Sequence, residues 1–268
     1  MANLRGIIMT NEYGKVSSRT FKHMKKGLVF MSNYGYIENI FTLPHIGSGH
    51  DGFVFEYGDL ALKLLKYDIG KRSKDKLMTF EKASFFCRNL KLKRIEVPMD
   101  ILLDEDGIFS GYVMHRIEDL SSEKYVDTPI QKLPGDFTCG QLLWAASELE
   151  DDFSELSKKG VRAKDINAGS FLYPADYIHL CDVDKYQLSK DASLERDNMQ
   201  KYRYTLARLL YLQMSEGCSK EELRELNKWV KQSSNNSAFF GTLTSEIGNN
   251  FSDSISEFAA YKVKSILR

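Results

Sequence analysis

Gly47-Ser48-Gly49-His50-Asp51-Gly52-Phe53-Val54 is the stretch on which the reading of this sequence turns. It satisfies the pattern G-x-G-x-x-G-x-V. Glycines at this spacing let backbone amides approach a polyphosphate with no side chain between them. The flanks decide which fold uses the loop. A dinucleotide-binding loop opens a helix and has an acid about 20 residues further on. Here Phe53-Val54-Phe55-Glu56 leads through Tyr57-Gly58-Asp59 into Leu60-Ala61-Leu62-Lys63-Leu64-Leu65, which reads as strand, tight turn, strand. The dinucleotide-fold reading fails there. A phosphate-cradling hairpin and a plain hairpin with a glycine-rich turn both remain.

Lys63 sits in the second strand of that hairpin, between aliphatic residues. Alone, it reads as an edge residue pointing to water. Residues 73–93 read as one helix with Ser73 as N-cap. Glu81 lies in the middle of that helix, with Leu77 four residues before it and Phe85 four after, so it is expected on the buried stripe. A buried carboxylate needs a partner, and Lys63 is the candidate.

Further along, Leu142, Leu143, Ala146, Leu149, Phe153 and Leu156 fall on one helical face, and Gly160 reads as the stop. More helices are expected over Arg196–Met214, Ser219–Gln232 and Asp253–Leu267, with residues 233–237 as a loop. Between them, Asp165 is followed by Ser170-Phe171-Leu172-Tyr173, a turn at Pro174-Ala175-Asp176, and a returning strand that ends at Asp182. A short hairpin brings its open ends together, so Asp165 and Asp182 are expected close to one another. One carboxylate suits the proton of an attacking hydroxyl and the other suits Mg2+.

Residues 27–126 have strand-and-turn texture with one helix, and the chain from Thr138 onward is helical. The fold class is therefore α+β in two lobes, 1–120 and 121–268, dividing near Ser121–Asp136. With 37 basic and 37 acidic residues the net charge is zero, which argues against a bulk-electrostatic nucleic-acid binder. No apolar stretch approaches the ~20 residues of a membrane span, and no secretory signal is read at the start. The four cysteines form no C-x-x-C pair. A cytoplasmic protein with no membrane partner is expected.

Taken in order, residues 40–215 resemble the protein kinase-like superfamily. The Gly47–Val54 loop is similar to the kinase glycine-rich loop, Ala61-Leu62-Lys63 to the V-A-I-K strand, and Glu81 to the glutamate of the small-lobe helix. Gly111-Tyr112-Val113-Met114-His115-Arg116 resembles the gatekeeper and hinge. Lys164-Asp165 stands at H-R-D, and Asp182-Val183-Asp184 at D-F-G. The resemblance implies a two-lobed kinase-like fold, with ATP and Mg2+ as ligands. Asp165 and Lys63 would be catalytic. Gly47, Ser48, Gly49, Gly52, Val54, Ala61, Lys63, Glu81, Met114 and His115 would hold the nucleotide, and Asp182 and Ser170 the metal.

The implied activity is γ-phosphoryl transfer to a hydroxyl, with a protein Ser/Thr as the acceptor. A small-molecule kinase and a pseudokinase that binds nucleotide or a partner are the alternatives. The sequence departs from the family at Ala163 and Lys164, at Ser170 where an asparagine is usual, and at Asp184 in place of glycine. It also lacks A-P-E and a full activation segment.

Overall fold

The computed structural model of the 268-residue chain describes residues 8–11, 14–17, 27–48, 51–66, 78–117, 137–166, 170–172, 178–215 and 218–267. Gly49, the expected N-cap Ser73 and the expected division at 121–136 lie outside these residues. The chain is α+β, with a curled antiparallel sheet in its N-terminal part and helices in its C-terminal part. It forms two compact units, each discontinuous in sequence. One comprises 1–91, 96–118 and 183–185, and the other 92–95, 119–182 and 186–268.

In the first unit β1 (Ile8–Asn11) and β2 (Gly14–Ser17) pair as a hairpin. The main sheet is built from β3 (Val29–Met31), β4 (Gly35–Ile37), β5 (His45–Ser48), β6 (Gly52–Tyr57), β7 (Leu60–Leu65), β8 (Asp100–Asp104) and β9 (Phe109–His115). Its order is β4-β3-β8-β9-β7-β6-β5. The β6–β7 hairpin is the one read from the sequence: Tyr57 pairs with Leu60, and Gly58 at φ 57° supplies the left-handed turn residue. Alternation sends Phe53, Phe55, Leu62, Leu64, Leu102 and Val113 into one apolar cluster. Ala61, Lys63 and Leu65 face the other way.

The helix α1 (Phe80–Asn89) is shorter than expected and differently phased. Thr79, extended at φ −110°, caps it by accepting from the Lys82 N–H, so it starts at Phe80 and not at Ser73. Its buried stripe is Lys82, Ala83 and Phe86. The 77/81/85 stripe expected from the sequence is one residue out of phase, and Glu81 is exposed.

The second unit holds α2 (Cys139–Lys158), α3 (Leu194–Met214), α4 (Lys220–Asn235), α5 (Ser237–Asn249) and α6 (Ile255–Ile266). Two small antiparallel pairs join them: β10 (Val161–Arg162) with β13 (Gln187–Leu188), and β11 (Phe171–Leu172) with β12 (His179–Leu180). α2 begins with a capping box between Thr138 and Gln141. It stops at Gly160, whose φ of 71° and N–H bond to the Ser157 carbonyl make it the expected C-terminal glycine. The expected loop at 233–237 is instead a single residue, Asn236. Ser233 and Ser234 are buried in α4, and the Asn236 side chain caps α5.

Candidate functional site

In the first unit the site is built around Lys63, in the middle of the interior strand β7. It pairs with Val54 on β6 and Tyr112 on β9, and 8 % of its surface is exposed. Its neighbouring strands come unusually close. A Cβ on Gly111 would stand 2.0 Å from the Lys63 carbonyl oxygen, and one on Gly52 would stand 2.7 Å from the Leu64 carbonyl. Gly52 is therefore required by strand packing. Gly47 has room, since its Cβ would meet Val54 only at 3.9 Å. Gly47 and Ser48 end β5, with Ser48 exposed, and Gly52 and Val54 begin β6.

Among the described residues Asp184 is a carboxylate paired with the Lys63 ammonium, while Glu81, the partner expected from the sequence, is exposed on α1. Asp184 is 1 % exposed and sits in a 3-10 turn, Val183–Lys185, that belongs to this unit. One Asp184 oxygen is paired with Lys63 Nζ. The other accepts from the Tyr112 hydroxyl at 2.9 Å, and the Asp184 carbonyl accepts from Lys82 Nζ at 2.6 Å. A buried ammonium without a countercharge is strongly disfavoured, and the turn supplies one. Beside it, Asp51 is buried, with Lys185 Nζ at 3.9 Å. Burial pulls the Lys66 ammonium down, and Asp51 pushes it back up. Ala61 and Met114 are buried at the same strand pair, and His115 is exposed, 3.7 Å from Glu96.

In the second unit Asp165 and Asp182 share one property. They are the two non-glycine residues with positive φ among those described, at 55° and 68°. That region favours glycine and is tolerated by aspartate, and such backbone recurs at functional sites. Each is held from behind. Ahead of Asp165, fully buried Asn198 accepts from the Ala163 N–H at 3.0 Å and donates to the Val161 carbonyl at 2.8 Å. Arg162 is paired with Asp197 and Asp191. Lys201 on α3 is within electrostatic reach of Asp165: burial lowers its ammonium and Asp165 raises it.

Ahead of Asp182, the Cys181 N–H donates to the Ser170 carbonyl at 2.8 Å, which sets buried Ser170 beside that end of the β11–β12 hairpin. Leu180 donates to the Arg94 carbonyl at 2.7 Å. The stretch carrying Arg94 is in turn fixed by buried Asp152, whose carboxylate accepts from the N–H groups of Lys93, Arg94 and Ile95. Burial raises the Asp152 carboxyl while those three donors pull it down. Burial, then Cys181, Asp182 and Asp152, drive the Tyr186 phenol far above its ordinary range.

The hard oxygen atoms of Asp182 and Ser170 are of the right chemistry for Mg2+. Among the described residues no three of His, Cys, Asp and Glu gather closely enough to hold an ion by themselves. Such a donor set fits a cation that takes most of its ligands from water and substrate phosphates, and does not fit a protein-caged one.

The sequence reading gave no site role to Asp184, Lys82, Asn198 and Asp152, and read Tyr112 only as part of a hinge-like segment. Asp184 left a signal in the doubled acid of Asp182-Val183-Asp184.

No protein-family model matches this chain, and no curated protein matches it.

Proposed function

We propose that the chain is a Mg-dependent ATP phosphotransferase of kinase-like type, moving the γ-phosphoryl group to a hydroxyl, with a protein Ser/Thr as the acceptor. The observation that carries this reading is the left-handed backbone at Asp165 and Asp182. These are the two aspartates that the order of motifs singles out, and no other described non-glycine residue adopts that conformation. A buried, ion-paired lysine on an interior strand, with Gly52 and Gly111 on the strands either side, supports it from the other unit.

In this reading Lys63 orients phosphate oxygens. Asp165 accepts the proton of the attacking hydroxyl as its oxygen bonds to the γ-phosphorus and the bond to the β-phosphate oxygen breaks, releasing ADP. Asp182 and Ser170 would hold the metal, which when bound neutralises charge on the phosphates.

The test is incubation with γ-labelled ATP and Mg2+, alone and with generic protein and small-molecule acceptors. Asp165→Ala is expected to lower transfer by about 10²-fold or more while nucleotide binding persists. Transfer at the wild-type level in that variant overturns the mechanism. One observation favours a second reading, a nucleotide-binding module without catalysis: Ser170 stands where the resemblance expects asparagine. Binding of ATP with no transfer to any acceptor would support it.

A further inference from the structure

We infer that Asp184 is the residue that positions Lys63 for nucleotide phosphates, and that Glu81 on α1 is not. The role toward nucleotide phosphates rests on the proposed function; the hold of Asp184 on Lys63 does not. Lys63 leaves the sheet on the face opposite the apolar cluster, buried among Gly52, Tyr112 and the 183–185 turn. Of its flexible four-carbon stem, Cγ and Cε lie 3.3 and 3.4 Å from where a Gly52 side chain would begin, so the stem runs in a groove that exists because residue 52 lacks one. The ammonium ends on one oxygen of Asp184.

The other oxygen is tied to Tyr112, the direct cross-strand partner of Lys63, so the carboxylate is referenced to the same strand pair as the lysine it holds. Lys82 fixes the backbone of the same residue through its carbonyl. The helix thus contributes a cation that orients Asp184, in place of an anion that orients Lys63. Glu81, one residue earlier, is exposed, because the buried stripe runs through 82, 83 and 86. The lysine's alignment is therefore set by the chain segment that follows Asp182, so that the metal-ligand candidate and the carboxylate holding the lysine are separated by one residue.

The experiment uses the full chain and two independent readouts. The first is trace acetylation by acetic anhydride at pH 8 without nucleotide, with Lys63 quantified by peptide mass spectrometry against the exposed lysines. Removing the countercharge from a buried amine favours its neutral, reactive form. Asp184→Asn is expected to raise Lys63 acetylation at least about fivefold, one pKa unit corresponding to tenfold. Asp184→Glu is expected to return it to the wild-type level, and Glu81→Gln to leave it there. Tyr112→Phe, which keeps all charges, guards against misfolding of the asparagine variant and is expected to give about a twofold rise with an unchanged circular dichroism spectrum.

The second readout is transfer kinetics. Asp184→Asn is expected to raise KM for ATP about tenfold and to lower kcat less. Lys63 labelling unaffected by Asp184→Asn, or raised equally by Glu81→Gln, overturns the inference. So does a collapse of kcat at constant KM, which would make Asp184 a catalytic residue. If the wild type transfers nothing, the kinase reading falls, and the labelling arm still decides which carboxylate holds Lys63.

Discussion

At Gly111 one added carbon decides whether two strands can pair. Its Cβ would lie 2.0 Å from the Lys63 carbonyl oxygen, and its three nearest neighbours are all backbone atoms of Lys63 and Leu64. Nothing at that contact is a flexible side-chain end that could turn away. Gly111→Ala is therefore expected to cost about 2–4 kcal/mol, measured by urea unfolding. Gly47→Ala, with its nearest atom at 3.9 Å, is the matched control and is expected to leave stability within about 0.5 kcal/mol. Lys63 itself was legible in the sequence as the odd residue in an aliphatic strand. Its partner was not, because Asp184 lies 121 residues away and no local period reports a contact at that range.

Three helix starts carry the same capping pattern. Thr138, Ser219 and Ser254 each cap the helix that follows them, with Gln141, Glu222 and Glu257 closing the box three residues on. The exposed carboxyl of Glu222 is held below its usual range by the Ser219 N–H and then by the Ser219 hydroxyl. A carboxyl lowered on folding adds stability above its unfolded pKa, and that contribution is lost as pH falls through its folded one. Protection of the first-turn amides of α4 against hydrogen exchange, measured relative to the intrinsic exchange rate at each pH, is therefore expected to fall below the ordinary glutamate range. Glu222→Gln should flatten that dependence; an unchanged profile would refute the assignment.

Phase was harder to read than existence. In α1 the sequence offers two adjacent stripes, and the buried one includes Lys82, whose long stem lies in the interior while its ammonium reaches the Asp184 carbonyl. α5 was missed because Gly241, Thr242, Thr244, Ser245 and Gly248 are poor helix formers. Its Phe240, Leu243 and Ile247 nevertheless keep a helical spacing and are buried, so packing overrides propensity.

Over the whole molecule, 37 basic and 37 acidic residues cancel. Intermolecular repulsion is weakest where net charge vanishes. Solubility at low salt is therefore expected to pass through its minimum near pH 7 and to rise by pH 5.5 and pH 8.5, as read by precipitation with polyethylene glycol. A flat or inverted profile would contradict it. No described helix is long and apolar enough to cross a membrane. The α+β division into a sheet part and a helical part was legible from texture alone, since periods of two and of 3.6 dominate different stretches. The exchange of short segments between the two units was not, because three residues carry no period.

That exchange bears on how the gene could be dissected. A fragment ending after the last strand of the sheet would retain Lys63, Tyr112 and both tight glycines but lack residues 183–185, and with them the anion that neutralises its buried cation. The complementary fragment would lose the stretch 92–95 that Asp152 grips. Neither unit is a continuous stretch of chain, so no single cut yields one of them whole.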